Sequence, residues 1–245
     1  VIVAAKTHKG LVREKNEDCF FIDDLTYRLF VVADGMGGHK AGEIASHEAV
    51  EIMKKEFLNA PKDAVYENVM RTAFEKANAD IFEKASASSD MEGMGTTLTV
   101  LFVEGETLHF GQIGDSRAYF VGEEKLEQIT TDHTLVEQLI LNGTLAREDA
   151  GKHPNRNVIT KAVGVDKSLE IDYFTRNKEQ ERVLLCSDGL TDSLNDDEIF
   201  EIVKNSETLA DAVQSLVAHS NQKGGHDNIT VVLIEFSEKV REVEA

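Results

Sequence analysis

Strand-like and helix-like periodicities follow one another along this chain in an order that argues against regular βαβ crossovers. Runs rich in apolar and β-branched residues fall near positions 1–7, 19–23 and 29–33. Two long amphipathic segments come next. Over Ala41–Leu58, Ala45, Ala49, Ile52, Met53 and Phe57 share one face; over 62–84, Val69, Ala73, Ala77 and Ile81 recur every fourth residue. Strand-type runs then succeed each other near 96–103, Thr107–Ile113 and Arg117–Val121, separated by turn dipeptides such as Glu104-Gly105 and Gly122-Glu123. Further strands are expected near 182–187 and 228–235, and a helix over 207–220, where Leu209, Ala212, Val213, Leu216 and Val217 line one side. Thr131 or Asp132 is placed to cap another helix over the run LVEQLI. This order predicts an α+β fold, with antiparallel sheet covered by helices on its outer faces.

The 245 residues contain only two prolines, Pro61 and Pro154, and no Gly/Ser-rich or Pro-rich linker, so one domain is expected over 1–245. Within it, residues 142–157 mix Gly, Arg, His, Pro and Asn without periodicity and read as a surface excursion. A formal net charge of -19 argues against a nucleic-acid-binding surface, which needs clustered Lys and Arg. No apolar run approaches the ~20 residues of a membrane span, and the first residues lack the layout of a signal peptide. Cys19 and Cys186 both lie in apolar runs without metal-ligand spacing, so both are expected as buried, reduced thiols, which suits a reducing compartment. The expectation is a cytoplasmic monomer with neither membrane nor nucleic-acid partners.

Four segments place an aspartate beside a small residue at the end of an apolar strand: LFVVADGMGGH with Asp34, FGQIGDSRAY with Asp115, VLLCSDGLTD with Asp188 and Asp192, and GGHDNITVVLI with Asp227. In the last the aspartate precedes its strand. One Asp-Gly after a strand is ordinarily a turn. Several bracketed by long apolar strands point to a shared site. If these carboxylates converge, their repulsion in a partly desolvated place demands cations. An oxygen-only donor set favours Mg²⁺ or Mn²⁺ over zinc. Two such ions can bridge a water, lower its pKa and present hydroxide for in-line attack on a phosphoryl or similar ester.

The segments RxxNED (Arg13 to Asp18), VADGMGGH (Val32 to His39), GTT (Gly95 to Thr97), GDSRAY (Gly114 to Tyr119), LLCSDGLTD (Leu184 to Asp192) and GGHDNITVV (Gly224 to Val232) occur in an order and spacing that resembles the PP2C-type protein phosphatases, specifically their bacterial single-domain branch. The resemblance runs from Thr7 to about Glu235. It implies a four-layer α/β/β/α sandwich, two central antiparallel sheets flanked by helices. It implies metal-dependent hydrolysis of phosphoserine and phosphothreonine in phosphorylated proteins, with a bacterial Ser/Thr kinase as functional counterpart. Two core ions, Mn²⁺ or Mg²⁺, and a third weaker one are implied as cofactors. By this likeness Asp34 bridges the core ions, and the Gly35 carbonyl, Asp188 and Asp227 complete their ligands. Asp115 and Asp192, with Asp188, match the third site, and Glu17 and Asp18 the acidic pair at the second ion. Arg13 matches the phosphate-binding arginine, whose planar fork suits a phosphate dianion. Residues 142–157 fall where bacterial members carry a flap.

Many eukaryotic members have histidine directly after the Asp-Gly pair; Met36 stands here, which leaves His39 as the imidazole that could protonate the leaving alkoxide. Rival chemistries lack their residues: the sixth positions after the two cysteines are Leu25 and Asp192 rather than arginine, and GxxxxGK[ST], GxSxG and HExxH do not occur. The alternatives left open are a phosphatase devoted to one regulatory phosphoprotein and an inert binding module on the same fold.

Overall fold

The computed structural model describes residues 1–23, 25–26, 28–37, 41–178 and 182–236. In chain order the elements are β1 (Ile2–His8), β2 (Asp18–Ile22), β3 (Leu29–Met36), α1 (Ala41–Leu58), α2 (Tyr66–Ala87), β4 (Gly95–Thr96), β5 (Leu98–Glu104), β6 (Thr107–Ile113), β7 (Arg117–Val121) and β8 (Leu126–Gln128). They continue with α3 (Leu135–Leu141), β9 (Asp172–Asn177), β10 (Arg182–Cys186), the single turn α4 (Asp188–Thr191), α5 (Asp196–Asn205), α6 (Leu209–Gln222) and β11 (Ile229–Glu235). One sheet has the order β1-β11-β10-β7-β8, the other β2-β3-β5-β6-β9 with β4 paired to β3, and all the pairings are antiparallel.

Alternation along the strands sorts their apolar residues into three layers. Leu29, Val31 and Ala33 of β3 join Ala45, Ala49, Met53, Met70, Phe74 and Ala77 under α1 and α2. Leu184 and Cys186 of β10, with Val231 and Leu233 of β11, join Ile199, Val203, Val213 and Leu216 under α5 and α6. The alternate positions, Phe30, Val32, Leu101, Phe110, Val183, Leu185, Val232 and Ile234, interdigitate between the two sheets. Both faces of each sheet are thus covered, which explains why these strands read as nearly continuous apolar runs. The result is the expected α/β/β/α stack.

Three local expectations need correction. The helix over LVEQLI is capped by Thr134, whose Oγ1 accepts the Glu137 N–H at 3.2 Å. Asp132 cannot serve, because Arg117 takes both its carboxylate oxygens through Nε and Nη2, at 2.6 to 2.9 Å. The second long helix starts at Tyr66 rather than residue 62, since residues 61–64 close a turn through Ala64 N–H to Pro61 O. Cys186 is buried, but Cys19 is only half-buried. Among the described residues no helix is long and apolar enough to cross a membrane.

Candidate functional site

The layer between the sheets changes character at one end. In β3 the inward positions run Phe30, Val32, then Asp34; in β2 they run Ile22, Phe20, then Asp18. The antiparallel register of β2 with β3 sets Asp18 directly opposite Asp34. The same parity carries β11 from Ile234 and Val232 to Thr230 and on to Asn228, and β10 from Val183 and Leu185 to Ser187. Where the alternation stays even while the residue type turns polar, the strands deliver a cluster of buried oxygens.

Asp34 is held along its backbone. Its N–H donates to Thr97 Oγ1 at 2.9 Å, and its carbonyl accepts from Thr97 N at 2.8 Å and Thr96 Oγ1 at 2.9 Å. Thr97 Oγ1 also pairs with Ser116 Oγ at 2.7 Å. Asp18 Oδ2 accepts from Ser187 Oγ at 2.8 Å and Thr230 Oγ1 at 2.7 Å. The Asp34 carboxyl shares this end of the sandwich with those of Asp18 and Asp188, whose charges act on it. Asp115 follows Gly114, whose φ of +100° and contact with the Thr97 side chain leave no room for a Cβ.

Burial and mutual charge raise these acids. Burial pushes Asp34 well above the usual carboxylate range, and the charges of Asp18, Asp188, Asp115 and Asp227 push it further. Asp188 is raised well above that range by burial, then by Asp115, Asp192 and Asp227. Burial takes Asp18 up to about 6, the hydroxyls of Thr230 and Ser187 opposing it. Asp115 is brought to about 7 by burial and the neighbouring Asp132. Asp192 is also raised by burial, with Arg156 and Arg117 pulling the other way. Five carboxyls distant in sequence, Asp18, Asp34, Asp115, Asp188 and Asp227, therefore act on one another, with Asp192 at their side.

Arg13 stands at the rim, half-exposed, its Nη2 donating to Asp227 Oδ2 at 2.7 Å. Glu17 is raised by burial, while Arg13 and Lys15 oppose the shift. A Cβ on Gly42, at the start of α1, would fall 2.8 Å from both Glu17 Oε1 and the Gly35 carbonyl oxygen, so these two acceptors border one cradle. Gly35 itself tolerates no side chain, because its Cβ would meet Gly42 O at 2.0 Å. His39 lies outside the described residues. A cleft of about 270 Å³ separates Asp115, Asp188 and Asp192 from Arg147 and Arg156 of the 142–157 excursion. Sequence reasoning passed over Ser116, Ser187 and Thr230; their signal was parity, each continuing the inward face of a strand that ends at the cluster.

The residues fit divalent cations. Asp18 Oδ1, Asp115 Oδ1 and Asp188 Oδ1 are buried without a hydrogen-bond partner, and hard cations satisfy such oxygens. Among the described residues no three acids, imidazoles or thiols surround a single point as a bound ion would draw them. The carboxyls nevertheless raise one another by charge, and a cation between them would relieve that repulsion.

Comparison with known proteins agrees with this site. The protein phosphatase 2C family profile matches residues 7–233, and the chain belongs to that family. It is 35% identical over 236 residues to the serine/threonine phosphatase stp of Listeria monocytogenes, covering 94% of each chain. The crystal structure of the serine/threonine phosphatase Stp1 from Staphylococcus aureus superposes with a TM-score of 0.90 at 34% identity, over 96% of this chain and 94% of that one. The catalytic domain of the serine/threonine protein phosphatase PstP, solved with two manganese ions, gives a TM-score of 0.84 at 34% identity, over 96% and 97%.

Proposed function

We propose that this chain is a cation-dependent protein phosphatase that hydrolyses phosphoserine and phosphothreonine in proteins. The observation that carries the reading is the half-buried carboxyl cluster with three buried, orphaned oxygens, at whose rim one arginine is held by Asp227. Asp34, Asp188, Asp227 and the Gly35 carbonyl would hold the core cations, with Glu17 and Asp18 at the second ion and Asp115 and Asp192 at a weaker third. When bound, Mn²⁺ or Mg²⁺ supplies charge neutralisation and activation of water for attack on phosphorus; the two manganese ions of the PstP structure support this choice. Arg13 contributes the phosphate contact, since its guanidinium can release Asp227 and offer two parallel donors to phosphate oxygens.

The excursion at 142–157 closes one side of the cleft and acts as a flap on a single 1–245 domain, with Arg156 already acting on Asp192. The relatives are named serine/threonine phosphatases; our reading goes further and sets this chain in cytoplasmic signalling, as a monomer, opposite a bacterial Ser/Thr kinase. An inert binding module would leave the orphaned carboxyl oxygens without a purpose. Release of inorganic phosphate from a phosphothreonine peptide, with and without Mn²⁺, tests the proposal. Wild type should turn over only with the cation, and Asp34→Asn should lose at least about a hundredfold, since partners outside the ligand sphere alone are worth roughly 10–100-fold. Wild type that releases no phosphate at saturating Mn²⁺ would refute it.

A further inference from the structure

Arg13 sits on a loop that no buried side chain anchors at its tip: Leu11 is 67% exposed and Val12 61%. The loop leaves β1 after His8 and turns over residues 9–15 before reaching Glu17 and β2. Its shape depends on hydrogen bonds from the opposite end of the chain. Leu11 N–H and Val12 N–H donate to Gly225 O at 2.7 and 3.3 Å. Gly10 N–H donates locally to His8 Nδ1 at 3.0 Å, and the loop's two ends are tied by Asn228, only 3% exposed. Its Nδ2 donates to Lys9 O at 2.9 Å and to Lys15 O at 2.8 Å, closing the loop at both ends. Its Oδ1 accepts the Glu17 N–H at 2.7 Å.

The amide orientation is settled by this network, because a flipped side chain would set its oxygen against two carbonyl oxygens. Asn228 adjoins Asp227, the residue that holds the Arg13 guanidinium. One dipeptide thus fixes both the backbone and the side chain of the arginine.

We propose that Asn228 is a positioning residue for phosphate capture: by clamping residues 9–15 it presents Arg13 to the carboxyl cluster before substrate arrives. The proposal rests on Arg13 binding phosphate. An unclamped loop would have to be ordered during binding, so affinity for phosphate falls while the reacting centre keeps its geometry. Aspartate cannot substitute, since it offers no donor to Lys9 O and Lys15 O.

The test is a double-mutant cycle of Asn228→Ala and Arg13→Ala, assayed with p-nitrophenyl phosphate at saturating Mn²⁺, with inorganic phosphate as inhibitor. Asn228→Ala should raise KM and the phosphate inhibition constant by about tenfold, the effect of losing the clamping hydrogen bonds, with kcat within about threefold of wild type. In the Arg13→Ala background the same substitution should change both constants by less than about twofold, because its effect passes through Arg13. A fall in kcat at unchanged KM and inhibition constant overturns the inference, as does an undiminished KM effect without Arg13. If Arg13→Ala by itself leaves both constants unchanged, the phosphate role of Arg13 is what fails. Should Asn228→Ala not melt cooperatively, Asn228→Ser, which stays uncharged but whose single hydroxyl cannot serve both Lys9 O and Lys15 O, goes through the same cycle with the same expectations.

Discussion

Replacing Asp115 by asparagine should stabilise the metal-free protein, and by more as pH rises. Folded Asp115 stands at about 7 against an ordinary 3.8, chiefly through burial. Because the folded value is the raised one, the group's contribution to stability is full below about 3.8 and is lost as pH climbs through 7. The complete loss is on the order of 4 kcal/mol, from 1.36 kcal/mol for each pH interval between the two values. Asparagine has the same shape and never ionises, so the variant escapes that loss. The pI of about 4.8 makes lower pH unsuitable for melting. Between pH 5.5 and 8 the variant's advantage should still grow by about 2 kcal/mol, or roughly 4–8 °C in Tm for a chain of this size. Asp34 and Asp188 both feel the Asp115 charge, so its removal relieves them in the same direction. Differential scanning calorimetry in chelator at several pH values reads this, and saturating Mn²⁺ should narrow the gap by stabilising wild type more than the variant. A variant less stable than wild type at pH 8 in chelator, or a gap that ignores pH, would refute the idea that this cluster stores electrostatic strain.

Mn²⁺ itself should raise the wild-type Tm, because cations bind only the assembled cluster; at a hundred times Kd the gain is about 2.7 kcal/mol, and no shift between chelator and Mn²⁺ would count against the site. Gly35→Ala should cost more than about 3 kcal/mol or prevent soluble expression, since a Cβ 2.0 Å from Gly42 O can be relieved only by moving backbone; a denaturant midpoint near wild type would contradict the close approach. Asn195→Ala should cost about 1 kcal/mol, measured by urea unfolding, because it breaks the capping box with Glu198 that starts α5.

Much of the fold was legible because both sheets are covered on both faces, so β3, β5, β6, β10 and β11 stand out as apolar runs. What escaped was short or marginal. β9, DYFTRN, is an edge strand with half-exposed or exposed side chains and little apolar contrast. α5 carries a strong start signal in Asn195 and Glu198, yet its sequence, DDEIFEIVKN, buries only Ile199, Phe200 and Val203. Thr131 and Asp132 looked like a cap because capping preference is local, and nothing nearby in sequence reveals that Arg117 already engages Asp132.

The site was legible for a different reason. An aspartate after an apolar strand means little alone, but strands impose parity, and parity decides which side of a sheet the final residue faces. Asp18 and Asp34 fall on the same parity as Phe20 and Val32, whose side chains enter the layer between the sheets. Asp188 and Asp227 flank the same ends of β10 and β11, so antiparallel pairing brings them to the same end of the sandwich. That reasoning extends to side chains whose partners are side chains. It cannot reach Asn228, whose amide is spent on the carbonyls of Lys9 and Lys15 and the N–H of Glu17. Backbone partners carry no residue signature, so a clamp made to them is invisible until the loop it closes has coordinates.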